Sequence, residues 1–312
     1  MRAPTPRLFV VVKGAPMRIG FVGLGRMGLP MADRLVRAGH DVKGFDVSAE
    51  ATAAAREQGV RICTTAAAAA AETQLMITML PDPPAVEAAA HGPEGVLEGI
   101  GAGTVWLEMT SSDPAVTLAL SDAAAERSVT LVDAPVSGGV TGAREGTLAI
   151  ACAGPEEAFS TARPVLDELG DRVVHVSERP GDGDLAKTIN NLLSAANLLV
   201  AAEGVALSMS VGLDPARLVE FVNASTGASN ATEVKLPRYV LTGAFDAGFS
   251  LGQYLKDLRI ASTVADRQDL ELTMATQAAE LWKELAEAEG PDADHTLLFR
   301  LVAERTGVGW DR

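Results

Sequence analysis

A chain of 312 residues that is 47% hydrophobic and 21% charged is long enough for two cored domains and too apolar to stay disordered. Its formal net charge of −15 repels phosphate backbones and anionic bilayers, so nucleic acid and membrane surfaces are set aside as partners and any anionic ligand must be gripped by local groups. The two cysteines, Cys63 and Cys152, belong to no paired motif, which suits a reducing cytoplasmic compartment; the histidines, His40, His91, His175 and His295, lack the close spacing of a zinc site, so no metal is expected.

Residues 1–16 read as an N-terminal extension: Leu8 to Val12 is too short for a signal-peptide core, and a start at Met17 also leaves an intact domain. From Arg18 to about Val176 short β-rich runs alternate with helical ones, the pattern of a doubly wound α/β domain with a mostly parallel sheet. The predicted strands are Ile19 to Val22, Asp41 to Phe45, Leu75 to Met79, Val105 to Glu108, Thr130 to Asp133, Leu148 to Ala153 and Val173 to His175. The first strand passes into an amphipathic run, Met27 to Arg37, through Gly23-Leu24-Gly25-Arg26-Met27-Gly28. Gly23 permits a tight turn, Gly25 lets the backbone approach a pyrophosphate, and Gly28 lets the helix pack closely on the strand. The helix N-terminus adds free N–H groups and the positive end of its dipole. Asp46 ends the second strand about 20 residues beyond the loop, where a carboxylate accepts hydrogen bonds from a ribose diol. Strand, loop, helix, strand and acid in that order point to dinucleotide binding.

Further along, the alanine tract Ala66 to Ala71, with Thr65 as its cap, predicts a packed helix. Leu80-Pro81 opens a proline-rich loop at the carboxyl edge of the sheet, where ligands of such folds bind. Thr110, Ser111 and Ser112 follow the fourth strand and suit either helix capping ahead of Asp113-Pro114 or ligand contact. Asp133-Ala134-Pro135-Val136-Ser137-Gly138-Gly139 follows the fifth. The Ser137 hydroxyl and the unobstructed amides of Gly138 and Gly139 form either a nest for a carboxylate or an ordinary turn. Gly-x-Ser-x-Gly is absent around Ser137 and no histidine is placed as its base, so Ser137 is not read as a nucleophile.

At Pro180-Gly181-Asp182-Gly183 the β-rich runs stop, which divides a domain of residues 17–180 from an all-helical one of residues 181–312. Asp184 to Val211 predicts one long helix, apolar nearly all round as for a helix buried between domains; its most membrane-like stretch, Leu192 to Ala202, falls short of a span of about 20 residues. Asp214 to Ser225, Glu233 to Tyr239, Leu251 to Arg267, Glu271 to Glu289 and Ala293 to Thr306 predict further helices.

Lys187 and Asn191 are four apart at the start of the long helix and so share a face. A lysine on an apolar helix is expensive to bury, and desolvation lowers its pKa from about 10.4 toward neutrality, which suits proton transfer; the alternative is a lysine snorkelling from the helix start. Lys256, in Leu255-Lys256-Asp257-Leu258, reads on physical grounds alone as half of a solvated charge pair.

Four motifs in order, Gly-Leu-Gly-x-Met-Gly at 23–28, Met-Leu-Pro at 79–81, Asp-Ala-Pro-Val-Ser-Gly-Gly at 133–139 and Gly-x-Gly-x-x-x-Lys-x-x-x-Asn at 181–191, resemble those of the β-hydroxyacid dehydrogenases, from Met17 to about Val308. This is the family of 3-hydroxyisobutyrate dehydrogenase and tartronate semialdehyde reductase. The resemblance implies a Rossmann domain followed by an all-α domain, and NAD(P)-dependent oxidation of a short 3-hydroxy acid. It implies a catalytic lysine at Lys187, cofactor contacts at Leu80, Pro81, Ser111 and Lys256, and substrate contacts at Ser137, Gly138, Gly139 and Asn191. Asn190 is a second candidate, because relatives differ in which of the two positions carries asparagine. A homodimer or homotetramer is implied as well.

The chain departs from the family pattern at Glu108, where Asp is usual, a change expected to matter little, and at Pro180. Val140-Thr141-Gly142-Ala143-Arg144 is more similar to 3-hydroxyisobutyrate enzymes than to the tartronate semialdehyde group. Asp46-Val47-Ser48 replaces the Asn-Arg-Ser or Asn-Arg-Thr of NADP-preferring relatives, and its carboxylate repels a 2′-phosphate, which favours NAD over NADP. Retention of Lys187 and Asn191 argues against a dinucleotide-sensing scaffold on the same fold and against imine reductases, which commonly replace the lysine. Phosphogluconate dehydrogenases keep both residues but carry a larger helical domain.

Overall fold

The computed structural model describes residues 15–309 and divides between Lys187 and Thr188 into two compact units. Of the N-terminal extension, Ala15 and Pro16 are within the described residues and Leu8 to Val12 lies outside them. The first unit runs β1 (Arg18–Val22), α1 (Gly28–Arg37), β2 (Asp41–Phe45), α2 (Ala49–Glu57), β3 (Arg61–Ile62), α3 (Ala66–Ala70), β4 (Leu75–Thr78), α4 (Pro83–Ala90), α5 (Val96–Gly99) and β5 (Val105–Glu108). It continues through α6 (Pro114–Ala125), β6 (Thr130–Asp133), β7 (Val136–Ser137), α7 (Gly139–Glu145), β8 (Ala149–Ala153), α8 (Glu156–Leu169) and β9 (Arg172–Ser177) into α9 (Asp182–Ser210).

Six parallel strands stand in the order β3-β2-β1-β4-β5-β6, so the chain reverses its direction of winding between β1 and β4. Ligands of doubly wound sheets bind outside the carboxyl ends of the strands at such a switch point, which is where the Gly23–Gly28 loop emerges. Beyond β6 the sheet becomes mixed. β8 pairs antiparallel with β6 at Ala153 and with β7 at Ile150 and Ala149, and parallel with β9.

Alternate side chains along the central strands feed two separate cores. Ile19, Phe21, Leu75, Ile77, Val105, Leu107 and Val132 face one, with Met31 and Leu35 of α1 and Val165 and Leu166 of α8. Val22, Met76, Trp106 and Leu131 face the other, with Ala66, Ala69 and Ala70 of α3 and Leu120 of α6. Burying each large apolar side chain contributes roughly 1.5–3 kcal/mol, so a sheet covered on both faces explains why these strands read as continuous apolar runs. The alanine tract is the packed helix the sequence predicts, with Thr65 Oγ1 accepting from the Ala68 N–H at 3.0 Å.

The second unit is helical: the rest of α9, α10 (Pro215–Asn223), a π-helix (Ala231–Val240), α11 (Leu251–Arg267), α12 (Thr273–Glu289), a 3₁₀ turn (His295–Leu297) and α13 (Leu298–Thr306). Trp282, Phe299, Tyr254, Leu258 and Leu198 are buried together at its centre. The π-helix stands where an α-helix is predicted. Pro237 at its middle has no N–H to donate, and the Leu241 N–H reaches back five residues to the Leu236 carbonyl at 2.8 Å. The single helix predicted from Ala293 is broken because Asp294 Oδ1 accepts from both the N–H and the hydroxyl of Thr296, which tightens the first turn.

α9 corrects the expectation of a helix buried all round. Ile189, Leu193, Val200 and Leu207 are 46–68% exposed, while Ala195, Leu198, Ala202 and Val205 are buried. Its 29 residues also meet the length and hydropathy of a membrane-spanning helix, so the shortness of Leu192 to Ala202 does not by itself exclude a span; core helices of soluble proteins pass the same test.

Candidate active site

In the first unit the carboxyl ends of β1, β2 and β4 meet at the glycine loop, where the Gly23 N–H donates to the Phe45 carbonyl at 3.0 Å and the Met79 N–H to the Val22 carbonyl at 2.9 Å. Gly23 takes a φ of +96°, and a Cβ there would lie 2.1 Å from the Met79 carbonyl oxygen; one on Gly28 would lie 1.8 Å from the Gly23 oxygen. No side chain fits either place. A Cβ on Gly25 would meet open space, so its exposed backbone is the accessible rim of the loop. Arg26 is exposed and Met27 half-buried in the turn into α1. Asp46 binds the loop directly: one carboxylate oxygen accepts from the Leu24 N–H and the other from the Ser48 N–H, both at 2.7 Å. Thr110 Oγ1 accepts from the Leu80 N–H at 2.9 Å and joins the loop after β4, with Leu80 and Pro81, to the loop after β5, with Ser111. An open glycine rim, a carboxylate at the end of β2 and two apposed loops at the switch point fit a dinucleotide.

Thr110 and Ser112 do not cap α6. Asp113 does, accepting from the Ala115 N–H at 2.8 Å, because a carboxylate immediately before Pro114 is already in position.

Lys187 lies in the second turn of α9, half-buried, with Nζ donating to Ser137 Oγ at 2.6 Å. Gly138 (φ +129°) and Gly139 (φ +62°) follow with exposed backbone, and a Cβ on Gly139 would meet nothing within 4 Å. The hydroxyl of Ser137, two accessible amides and the lysine amine therefore share one place. An anion and an adjacent exchangeable proton can be held there together.

In the second unit, Asn191 is buried and donates from Nδ2 to Asp257 Oδ2 at 2.5 Å, while Asn190 is exposed and donates to Asn191 Oδ1 at 3.0 Å. Of the two asparagines, Asn191 is the one held in place by other elements. Lys256 Nζ is 3.8 Å from Asp257 Oδ1, and the Asp257 side chain is only 4% exposed. The solvated charge pair read from sequence is thus a pair with one buried member. Nearby, Lys235 Nζ donates to Ser194 Oγ at 3.1 Å and Tyr254 Oη at 3.0 Å, a cluster that no local pattern announces.

A family model described as the NAD binding domain of 6-phosphogluconate dehydrogenase matches residues 18–177, and one described as NAD-binding of NADP-dependent 3-hydroxyisobutyrate dehydrogenase matches residues 181–302. The chain is 38% identical to 2-(hydroxymethyl)glutarate dehydrogenase of Eubacterium barkeri over 94% of its own length and 97% of that protein. It belongs to the β-hydroxyacid dehydrogenases. This β-hydroxyacid dehydrogenase is also 35% identical to 3-hydroxyisobutyrate dehydrogenase of Pseudomonas aeruginosa, over 89% of this chain and 94% of the other. A solved structure of Mycobacterium tuberculosis 3-hydroxyisobutyrate dehydrogenase with L-serine is similar at a TM-score of 0.87 and 30% identity, covering 92% of this chain and 99% of that one. As a member of the family, the chain is an NAD(P)-dependent hydroxyacid oxidoreductase with a Rossmann domain followed by a helical one.

What the sequence reading of this β-hydroxyacid dehydrogenase missed is a row of buried carboxylates. Glu108 and Asp133 are register partners at the ends of β5 and β6 and Asp184 lies in the first turn of α9; all three are fully buried. Glu108 accepts from the Thr110 N–H at 2.7 Å and from the Thr78 hydroxyl, which in turn accepts from Trp106 Nε1. The usable signal was an acid closing an apolar strand at the carboxyl edge. Burial pushes Glu108 up to about 7, against the opposing hydrogen bonds from Thr110 and Thr78. A carboxyl raised in the folded state holds its proton where the unfolded chain has lost it, so stability is fully present below about pH 4 and declines as pH rises through about 7. Glu108→Gln keeps the shape and removes the ionisation. Its unfolding free energy in urea is expected to fall less steeply than that of the wild type between about pH 5 and pH 8; parallel curves contradict this.

Proposed function

We propose that this β-hydroxyacid dehydrogenase uses NAD to oxidise a short 3-hydroxy acid of the 3-hydroxyisobutyrate kind to its semialdehyde. The contact between Lys187 Nζ and Ser137 Oγ carries the reading. Ser137 accepts from the lysine and so keeps its own O–H to donate, with the Gly138 and Gly139 amides, to a substrate carboxylate. This leaves the neighbouring hydroxyl facing the amine. Neutral Lys187 takes the hydroxyl proton during oxidation, and its ammonium form returns one to the developing alkoxide in reduction. Bound NAD supplies the hydride acceptor. Gly23, Leu24, Gly25, Arg26, Met27 and Gly28 form the pyrophosphate loop, Asp46 takes the ribose diol, and Leu80, Pro81, Ser111 and Lys256 complete the cofactor contacts. Asn191, fixed by Asp257, orients the substrate, with Asn190 beside it.

Residues 17–180 and 181–312 serve as the cofactor and substrate domains. Free Cys63 and Cys152 suit the cytoplasm. The exposed row Ile189, Leu193, Val200 and Leu207 supports a homodimer or homotetramer in which a second copy covers it.

The test is NADH formation with 3-hydroxyisobutyrate, L-serine, 2-(hydroxymethyl)glutarate and the reverse reaction with tartronate semialdehyde. Highest kcat/KM on a 3-hydroxy acid is expected, from a protein sedimenting as a dimer or tetramer. Preference for tartronate semialdehyde moves the chain to the reductase alternative, cofactor binding without turnover on any of them favours a sensing scaffold, and a monomer removes the assembly.

A further inference from the structure

The helices α2, α3, α4, α6, α10 and α11 begin on their own capping side chain, Ser48, Thr65, Asp82, Asp113, Asp214 and Ser250. α9 is held differently. Its first N–H groups go to a carboxylate some fifty residues earlier: Asp133 Oδ1 accepts from the Gly181 N–H at 2.8 Å and Oδ2 from the Asp184 N–H at 3.0 Å. The approach is close enough that a Cβ on Gly183 would lie 2.6 Å from Asp133 Oδ2. Asp184 then turns its own carboxylate to the loop after β5, accepting from the Ser112 N–H at 2.9 Å and from the Thr117 hydroxyl at 2.6 Å.

Burying carboxylates is expensive even when they are hydrogen-bonded, and a local hydroxyl satisfies helix N–H groups at far lower cost. What the local cap cannot do is fix one element against another. Ser137, in β7, is four residues beyond Asp133, the last residue of β6, and Lys187 is three residues beyond Asp184. Both members of the 2.6 Å Lys187–Ser137 contact are therefore referenced to the same carboxylate.

We propose that Asp133 and Asp184 are positioning residues for the reaction: Asp133 sets the separation of Lys187 from Ser137, and Asp184 clamps the loop bearing Ser111 to the same helix turn. The proposal rests on Lys187 being the proton-transferring residue. Asp133→Asn retains the shape, but its amide nitrogen would face one of the two N–H groups it now accepts from. A misplacement of about 1 Å at a reacting group costs about 100-fold in rate, and a loss of that order is expected in kcat, with NADH affinity by fluorescence within about twofold of wild type. The decisive arm is the double variant. In a Lys187→Ala background, Asp133→Asn is expected to lower kcat no further, because the group it positions is gone.

Asp184 is tested more gently through its donor. Thr117→Val removes one hydrogen bond to the buried Asp184 carboxyl and is expected to lower kcat about tenfold, while Thr117→Ser restores the wild-type rate. If Lys187→Ala itself leaves turnover intact, the proton-transfer reading fails and takes this one with it. If Lys187→Ala is inactive but Asp133→Asn lowers kcat equally in both backgrounds, or Thr117→Val is as active as wild type, the positioning role alone is overturned.

Discussion

Lys187→Ala is expected to lower kcat by about 100- to 10,000-fold, the usual worth of a positioned general acid or base, while NADH still binds. The substitution removes the amine from Ser137 Oγ, 2.6 Å away in the native chain, and leaves Gly23, Gly25, Gly28 and Asp46 untouched. The cofactor loop is therefore unchanged, and the loss falls on the chemical step. Because Lys187 also donates to Ser137, some weakening of the carboxylate grip is expected as a modest rise in KM. A rise in KM with an unchanged kcat would instead mark Lys187 as a binding residue only.

Asp46→Asn is expected to weaken NAD binding by about 10- to 100-fold and to narrow the preference for NAD over NADP. Two effects combine. The carboxylate accepts from the Leu24 N–H and the Ser48 N–H, so it shapes the glycine loop in addition to its proposed contact with the ribose, and an amide can reproduce only one of those acceptor positions. In the proposed reading its charge also opposes a 2′-phosphate, and neutralising it would remove that opposition. Steady-state kinetics with both cofactors on wild type and variant measure this. A wild type that prefers NADP, or a variant with undiminished discrimination, contradicts the assignment.

Much of the architecture was legible because its signals are local. The strands Asp41–Phe45, Val105–Glu108 and Thr130–Asp133 and the helix Leu251–Arg267 coincide with their predicted limits, since apolar runs and side-chain caps are written within a few residues. The two-residue strands Arg61–Ile62 and Val136–Ser137 were not predicted, because a period of two cannot register in so short a run. The glycine loop and the motifs around Ser137 and Lys187 marked their places in the chain. What they could not disclose was the partnerships at a distance. Asp133 meets Asp184 across 51 residues and Asn191 meets Asp257 across 66, and neither pairing leaves a trace in periodicity. Lys256 looked solvated for the same reason: the burial of Asp257 beside it is set by tertiary packing, not by the sequence around it.

The most direct test of the account is rescue of Lys187→Ala by added primary amines. If Lys187 exchanges the hydroxyl proton, turnover of the variant should recover as free amine is added, and more strongly for more basic amines of similar size, while wild-type rates stay flat. A variant that binds NADH normally yet responds to no amine, or that turns over at the wild-type rate without one, would contradict it.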